Sequence, residues 1–190
     1  MNGRGFILCV SGPSGSGKTS LCDRLAAEHR FASRSISVTT RPQRPGERSG
    51  LDYIFVSPEE FEAMKSSNGL LEWAEVFGNW YGTPRRPVEE ALSANKVMVM
   101  DIDTIGARNI KKQFASQCVT VFVLPPSLDE LEKRLRARKQ NTPEDLARRL
   151  KEAEREMAEA PEYDFQIRND DLERAYNQLK EIVVKARESS

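Results

Sequence analysis

The sequence predicts an α/β fold in three layers, with a parallel central sheet and an inserted lobe of mixed strands. Three observations predict it. Short all-apolar runs recur along the chain, each stopped abruptly by polar or proline residues, as in strands buried on both faces of a parallel sheet. Helical patterns with capping residues lie between and after those runs. From Ser37 to about Lys96 the pattern changes to loops rich in Pro, Gly and Arg with short alternating runs, which marks the insertion. At 190 residues the chain is near the size of one domain. The expected division is a core of residues 1–36 and 97–190 and a lobe at 37–96.

In chain order, Phe6 to Val10 is the first apolar run, ended by Ser11-Gly12-Pro13, and Thr19 to His29 has helical spacing with Leu21 and Leu25 on one face. Inside the lobe, Tyr53 to Val56 and Leu71 to Val76 alternate, and a capped helix starts at Pro58. Val97 to Met100 is the second run, stopped by Asp101; Val119 to Leu124 is the third, stopped by Pro125-Pro126. Ser127-Leu128-Asp129-Glu130 has capping-box spacing, so a helix runs from Leu128 to about Arg138. Thr142-Pro143-Glu144-Asp145 opens another, with a capping hydroxyl, proline at the first helical position and acids in the first turn. Its dense run of charge from Lys151 to Glu159 reads as a solvated face. Phe165 to Ile167 is a short strand, and Asp171 caps a last amphipathic helix carrying Leu172, Leu179, Ile182 and Val183.

Composition excludes some partners. Lys+Arg and Asp+Glu are both 29, so net charge draws the chain neither to nucleic acid nor to an anionic membrane, and anion binding has to be local. Cys9, Cys22 and Cys118 are odd in number and sit in or beside apolar stretches, which fits reduced thiols and a cytoplasmic compartment. The first apolar run is shorter than a signal peptide's core, and no stretch approaches the length of a membrane span. The lone histidine, His29, ends a helix away from the motifs and reads as structural.

Gly12-Pro13-Ser14-Gly15-Ser16-Gly17-Lys18-Thr19 matches G-x-x-x-x-G-K-[ST] between a predicted strand and a predicted helix, the context the P-loop NTPase motif requires. Such a loop wraps phosphate oxygens with backbone N–H groups, and the helix that follows adds the positive end of its dipole. Lys18 is expected to reach the β and γ phosphates of ATP, and Thr19 to hold Mg²⁺. Asp101, ending the second strand, has the chemistry to position the metal's water shell, or to serve as a cap or surface acid.

A phosphate loop alone leaves kinases, GTPases and motor ATPases open; the inserted lobe discriminates. Arg41 and Arg44 lie three positions apart in a Pro/Gly loop, where two guanidinium forks can converge on one dianionic phosphate. The segments Ser37 to Glu47, Gly50 to Tyr53, Leu71 to Glu75 and Gly78 to Thr83 together resemble guanylate kinase. The similarity continues through Asp101-Ile102-Asp103, Pro125-Pro126-Ser127 and Asn169-Asp170, covering essentially the whole chain.

What the resemblance implies is ATP-dependent phosphorylation of GMP, and of dGMP, to GDP, with Mg²⁺ as cofactor. Arg41, Arg44, Tyr53 and Tyr81 would hold the GMP phosphate; Ser37, Glu72, Thr83 and Asp103 would contact guanine; Asn169 would lie beside the adenine of ATP. Guanine presents N1–H and N2–H₂ side by side, so the Glu72 carboxylate can accept two bonds while a hydroxyl donates to O6. The resemblance also implies a helical lid at about 134–150, in which Arg138 and Arg149 match the arginines that would close over the transferring phosphoryl group, with the lid tip Lys139-Gln140-Asn141-Thr142 departing from the family's usual Gly or Asn before Thr-Glu. Two rivals remain at this stage: the same fold acting on another nucleotide or a sugar phosphate, and a phosphopeptide-binding scaffold of the same family. Glu72 with Asp103 and Thr83 speaks against the first, the intact loop against the second. Monomer and homo-oligomer stay equally open.

Overall fold

The computed structural model describes residues 4–137 and 142–188. The chain begins with β1 (Ile7–Ser11), α1 (Lys18–Glu28) and β2 (Ala32–Arg34). It then builds β3 (Val38–Thr39), β4 (Ile54–Phe55), α2 (Pro58–Ser66), β5 (Leu70–Val76) and β6 (Asn79–Pro84). There follow α3 (Arg85–Ser93), β7 (Val97–Asp101), α4 (Thr104–Phe114), β8 (Cys118–Leu124) and α5 (Leu128–Ala137). The last elements are α6 (Pro143–Ala158), β9 (Phe165–Arg168) and α7 (Leu172–Glu188).

Five strands form one sheet in the order β2-β7-β1-β8-β9, every pairing parallel. β1 is buried along its whole length, as its unbroken apolar run requires. Its alternation divides the core: Leu8 and Val10 face α1 and α7 among Leu21, Leu25, Tyr176 and Leu179, while Ile7 and Cys9 face α3 and α4 among Val88, Met100 and Ile110. Each such side chain contributes about 1.5–3 kcal/mol on leaving water, so neither layer is dispensable. A second sheet, ordered β4-β3-β6-β5, mixes one parallel pairing with two antiparallel ones. It closes on α2 through Val38, Phe61 and Leu70. α5 and α6 pack on each other through Leu131, Leu135, Leu146 and Ala153.

The three apolar runs are β1, β7 and β8, each within a residue or two of the expected ends. Capping chemistry places the helices. Ser57 and Glu60 make a reciprocal box at α2, Thr142 accepts from Asp145 N at 3.1 Å at α6, and Asp171 accepts from Arg174 N at 2.8 Å at α7. The box expected at Ser127 is half made: its Oγ accepts from Glu130 N at 3.1 Å, but the Glu130 carboxylate turns to Arg134 at 3.4 Å. Five elements were not foreseen, β2, β3, β6, α3 and α4. β2 is three residues long with no apolar run, and α3 has no side-chain cap. The cysteines are free and buried, and His29 stacks on Phe31 at 4.9 Å. Among the described residues no helix is long and apolar enough to cross a membrane.

Candidate active site

The phosphate loop leaves the carboxyl end of β1 and is wedged between three neighbours. Gly12 has φ +135, and a β-carbon there would lie 2.4 Å from the Val123 carbonyl oxygen of β8. Gly17 has φ +97, and a β-carbon there would meet Asn169 Nδ2 at 2.1 Å. Both positions therefore exclude side chains by conformation and by space. Asn169 Nδ2 donates to the Ser16 carbonyl at 2.7 Å and its own N–H donates to Leu124 O at 2.8 Å, so this buried amide clamps the loop from β9's end. Lys18 Nζ folds back on the loop, donating to Gly12 O at 2.6 Å and Pro13 O at 3.1 Å. Ser14 and Gly15 are half-buried. Thr19 Oγ1 donates to Asp101 Oδ2 at 2.6 Å, which sets a hydroxyl and a carboxylate side by side, oxygen donors of the kind a hard divalent cation takes.

In the smaller sheet, Glu72 on β5 and Thr83 on β6 are opposite each other, and Thr83 Oγ1 donates to Glu72 Oε1 at 2.5 Å. Glu72 is 6 % exposed. Burial pushes its carboxyl up to about 7 against the Thr83 hydrogen bond, and the nearby Asp103 charge adds to the rise. Gly106 of α4 leaves no room for a side chain here, since a β-carbon would lie 2.7 Å from Glu72 Oε2. Asp103 caps that same helix, its Oδ1 accepting from Ile105 N at 2.8 Å and Gly106 N at 2.9 Å. Ser37, half-buried between β2 and β3, passes its carbonyl to Ile54 N.

Arg41 is buried, ion-paired to Glu47 at 2.7 Å and lying 5.3 Å from the Tyr53 ring centroid. Burial works most strongly against its charge, and Glu47 and Tyr81 together outweigh that and raise its pKa. Tyr53 and Tyr81 meet edge to face at 5.9 Å. Burial and the Asp101 charge push the Tyr53 hydroxyl up to about 12, so it stays a donor at all working pH. Arg44 is exposed on the same loop. Arg149 on α6 comes close enough that burial first and the Arg44 charge second lower its pKa, and its Nε is buried without a hydrogen-bond partner. Two cations approaching each other, with Asp145 bearing on Arg149 and Glu47 on Arg44, have the chemistry to share an anion. Arg138 and the lid tip Lys139-Gln140-Asn141 lie outside the described residues.

Three residues near this cleft were not singled out from sequence. Arg34 on β2 pairs with Asp23 at 2.8 Å and reaches Asp101 at 3.6 Å. Glu156, within the run read as a solvated face, is instead turned inward: burial lifts it to about 7, Lys18 opposes that, and Glu152, Asp103 and Glu159 add to it. Its position two turns after Arg149, on one face of α6, was the available signal. Phe77, at the tip of the β5–β6 hairpin, faces Arg148 and Arg149.

The guanylate kinase family model matches residues 4–186. A guanylate kinase of Thermosynechococcus vestitus is 48% identical over 171 residues, covering 90% of this chain and 89% of that protein. One of Caulobacter vibrioides is 47% identical over 179 residues, covering 94% and 84%. The crystal structure of guanylate kinase from Anaplasma phagocytophilum superposes with a TM-score of 0.83 at 33% identity, over 97% of this chain and 87% of that one.

Glu72 gives a stability prediction whose sign follows from its raised pKa. Its ordinary value of 4.5 rises to about 7 in the fold, so the stability it contributes is full below about pH 4.5 and is lost as pH rises through about 7. Above that the fold carries a buried charge. Glu72→Gln should raise stability at pH 8 by on the order of 2 kcal/mol, with the gain shrinking to nothing near pH 4. Thermal melts at both pH values decide it; equal melting temperatures at pH 8 would mean the carboxylate is solvated.

Proposed function

We propose that this chain, which belongs to the guanylate kinase family, transfers the γ-phosphoryl group of ATP to GMP, giving GDP, and to dGMP, giving dGDP. The observation that carries the reading is the buried Glu72–Thr83 pair, a carboxylate and a hydroxyl joined at 2.5 Å in the same cleft as an intact phosphate loop. A carboxylate held that way by the single Thr83 proton still accepts from guanine N1–H and N2–H₂, which leaves the Ser37 hydroxyl to donate to O6. Its burial cost is released when the two guanine donors arrive.

In this reading the loop from Gly12 to Thr19 cradles the ATP phosphates on its N–H groups and on the α1 dipole. Lys18 exchanges two neutral carbonyl acceptors for the β and γ phosphates, a charge-assisted contact stronger than either. Thr19, and Asp101 through water, would hold Mg²⁺, which supplies charge neutralisation at the phosphate oxygens. Asn169 borders the adenine end while its amide holds the loop. Arg41, Arg44, Tyr53 and Tyr81 grip the GMP phosphate, and Ser37 and Asp103 join Glu72 and Thr83 around the base. Arg44 and Arg149, with Arg138, spread positive charge over the transferring group's oxygens. No general base is required, since the acceptor phosphate is already ionised near neutral pH. Positioning and electrostatics do the catalysis. The proposed division is a core of 1–36 and 97–190 with a lid at about 134–150, and a GMP-binding lobe at 37–96, acting in the cytoplasm.

A panel of nucleoside monophosphates assayed with ATP and Mg²⁺ tests the reading directly: GMP should exceed AMP, CMP and UMP, and turnover of AMP at the GMP rate would overturn it. Lys18→Ala should cost at least about 3 kcal/mol in the transition state, roughly a hundredfold in rate, with an unchanged circular dichroism spectrum. Near-parental turnover would remove the loop from the reaction.

Base choice is tested by Glu72→Gln. The amide leaves one acceptor and turns an NH₂ toward guanine's donors, so kcat/KM for GMP should fall by about 2–4 kcal/mol. AMP presents an acceptor beside a donor and should lose less. Both constants are measured with ATP saturating. An equal fall for both acceptors would show that Glu72 does not read the base.

A further inference from the structure

Phe77 breaks the local rules of its own turn. Val76 pairs with Asn79, so β5 and β6 are joined by two residues, Phe77 and Gly78, at φ 50 and 75. This is the left-handed geometry of a tight hairpin turn, whose first position favours Asn, Asp or Gly because positive φ crowds a β-carbon. A phenylalanine there is disfavoured by backbone conformation and is left 40% exposed. Local rules broken without local compensation point to a task performed elsewhere.

The elsewhere is α6. The guanidinium carbons of Arg148 and Arg149 lie 4.9 Å and 5.3 Å from the Phe77 ring centroid, inside the range of cation–π attraction. Arg148 is also tied to Asp145 at 2.7 Å, whereas Arg149 has a buried Nε with no hydrogen-bond partner. The choice of an aromatic partner matters chemically. A carboxylate would hold Arg149 by occupying its N–H fork and cancelling its charge. An aromatic face attracts the guanidinium and leaves the in-plane N–H groups available to phosphate oxygens.

We propose that Phe77 is a positioning residue that holds Arg149 over the cleft, so that movement of the β5–β6 hairpin on acceptor binding brings this arginine to the transferring phosphoryl group. The hairpin that ends in Phe77 also bears Glu72, Tyr81 and Thr83, so acceptor contacts and the arginine's support share one rigid element. The proposal rests on the reading of Arg149 as a phosphoryl-stabilising group.

The test is Phe77→Asn, a substitution the turn itself favours. The melting temperature should hold or rise, while kcat falls about tenfold and KM for ATP stays within about twofold, the size expected when the cation–π support of Arg149 is removed. Phe77→Tyr should restore at least about half of kcat, as no turn-only role would require. In an Arg149→Ala background, Phe77→Asn should cause no further loss. Parental kcat in Phe77→Asn, or a full tenfold loss in the Arg149→Ala background, would overturn the positioning role while leaving that of Arg149 intact. Normal turnover by Arg149→Ala alone would overturn both.

Discussion

Parallel pairing of β1 with β7 on one side and β8 on the other is the constraint from which the site follows. Parallel neighbours need crossover connections, so every carboxyl end falls on one edge of the sheet and every crossover covers a face. The register pairs Val10 with Asp101 and Ser11 with Phe122. The loop that leaves β1 therefore starts beside the acid that ends β7, which is why Thr19 and Asp101, far apart in sequence, meet at 2.6 Å. β9 extends the same edge and delivers Asn169 to the Ser16 carbonyl. The loop is thus shaped less by its own glycines than by what surrounds them: Val123 behind Gly12 and Asn169 beside Gly17.

Around that edge the molecule concentrates groups whose ionisation burial disfavours. Glu72 and Glu156 are both raised to about 7, and Arg149 is lowered, with desolvation the largest cause in each. Clusters of this kind weaken a fold and mark sites where a ligand completes the electrostatics. The signs are complementary to the proposed substrates. A carboxylate lacking cationic partners awaits donors on a base, and arginines that approach one another await an anion. Asp103 shows the same economy, capping α4 with one oxygen while its charge bears on both Glu72 and Glu156.

How much could be read from sequence depended on whether the signal was local. β1, β7 and β8 were legible because a strand buried on both faces is an uninterrupted apolar run. α2, α6 and α7 were legible because a cap is a fixed spacing of a few residues. The phosphate loop combined both. β2 was hidden because three residues reading Ala-Ser-Arg owe their strand to pairing with β7 alone. α4 was hidden behind its own cap, since Asp103 was read for its part in base contacts and not for the two backbone N–H groups it accepts. Glu156 failed for a related reason: a charge-dense helix has a wet face and a cleft face, and composition does not say which residue is on which. Only the packing of Leu146 and Ala153 against α5 fixes the rotation of α6.

The placement of Glu72 and Phe77 on one strand has a mechanical consequence. At its inner end β5 is anchored: Leu71 belongs to the core layer with Met100 and Ile110, and the Glu72 carboxylate lies against Gly106 with no space for a β-carbon between. At its outer end the hairpin tip carries Phe77, which lies against Arg148 and Arg149 of α6. Five strand residues span roughly 17 Å, so a rotation of about 10° at the anchored end displaces the tip by roughly 3 Å, the scale of hinge motions in closing enzymes. Glu72, proposed to read the acceptor's base, sits where such a lever would turn, and Phe77, proposed to support Arg149, sits where it would travel farthest. Under that proposal a small rearrangement around the base would become a large one at the phosphoryl group, with no separate relay required between them.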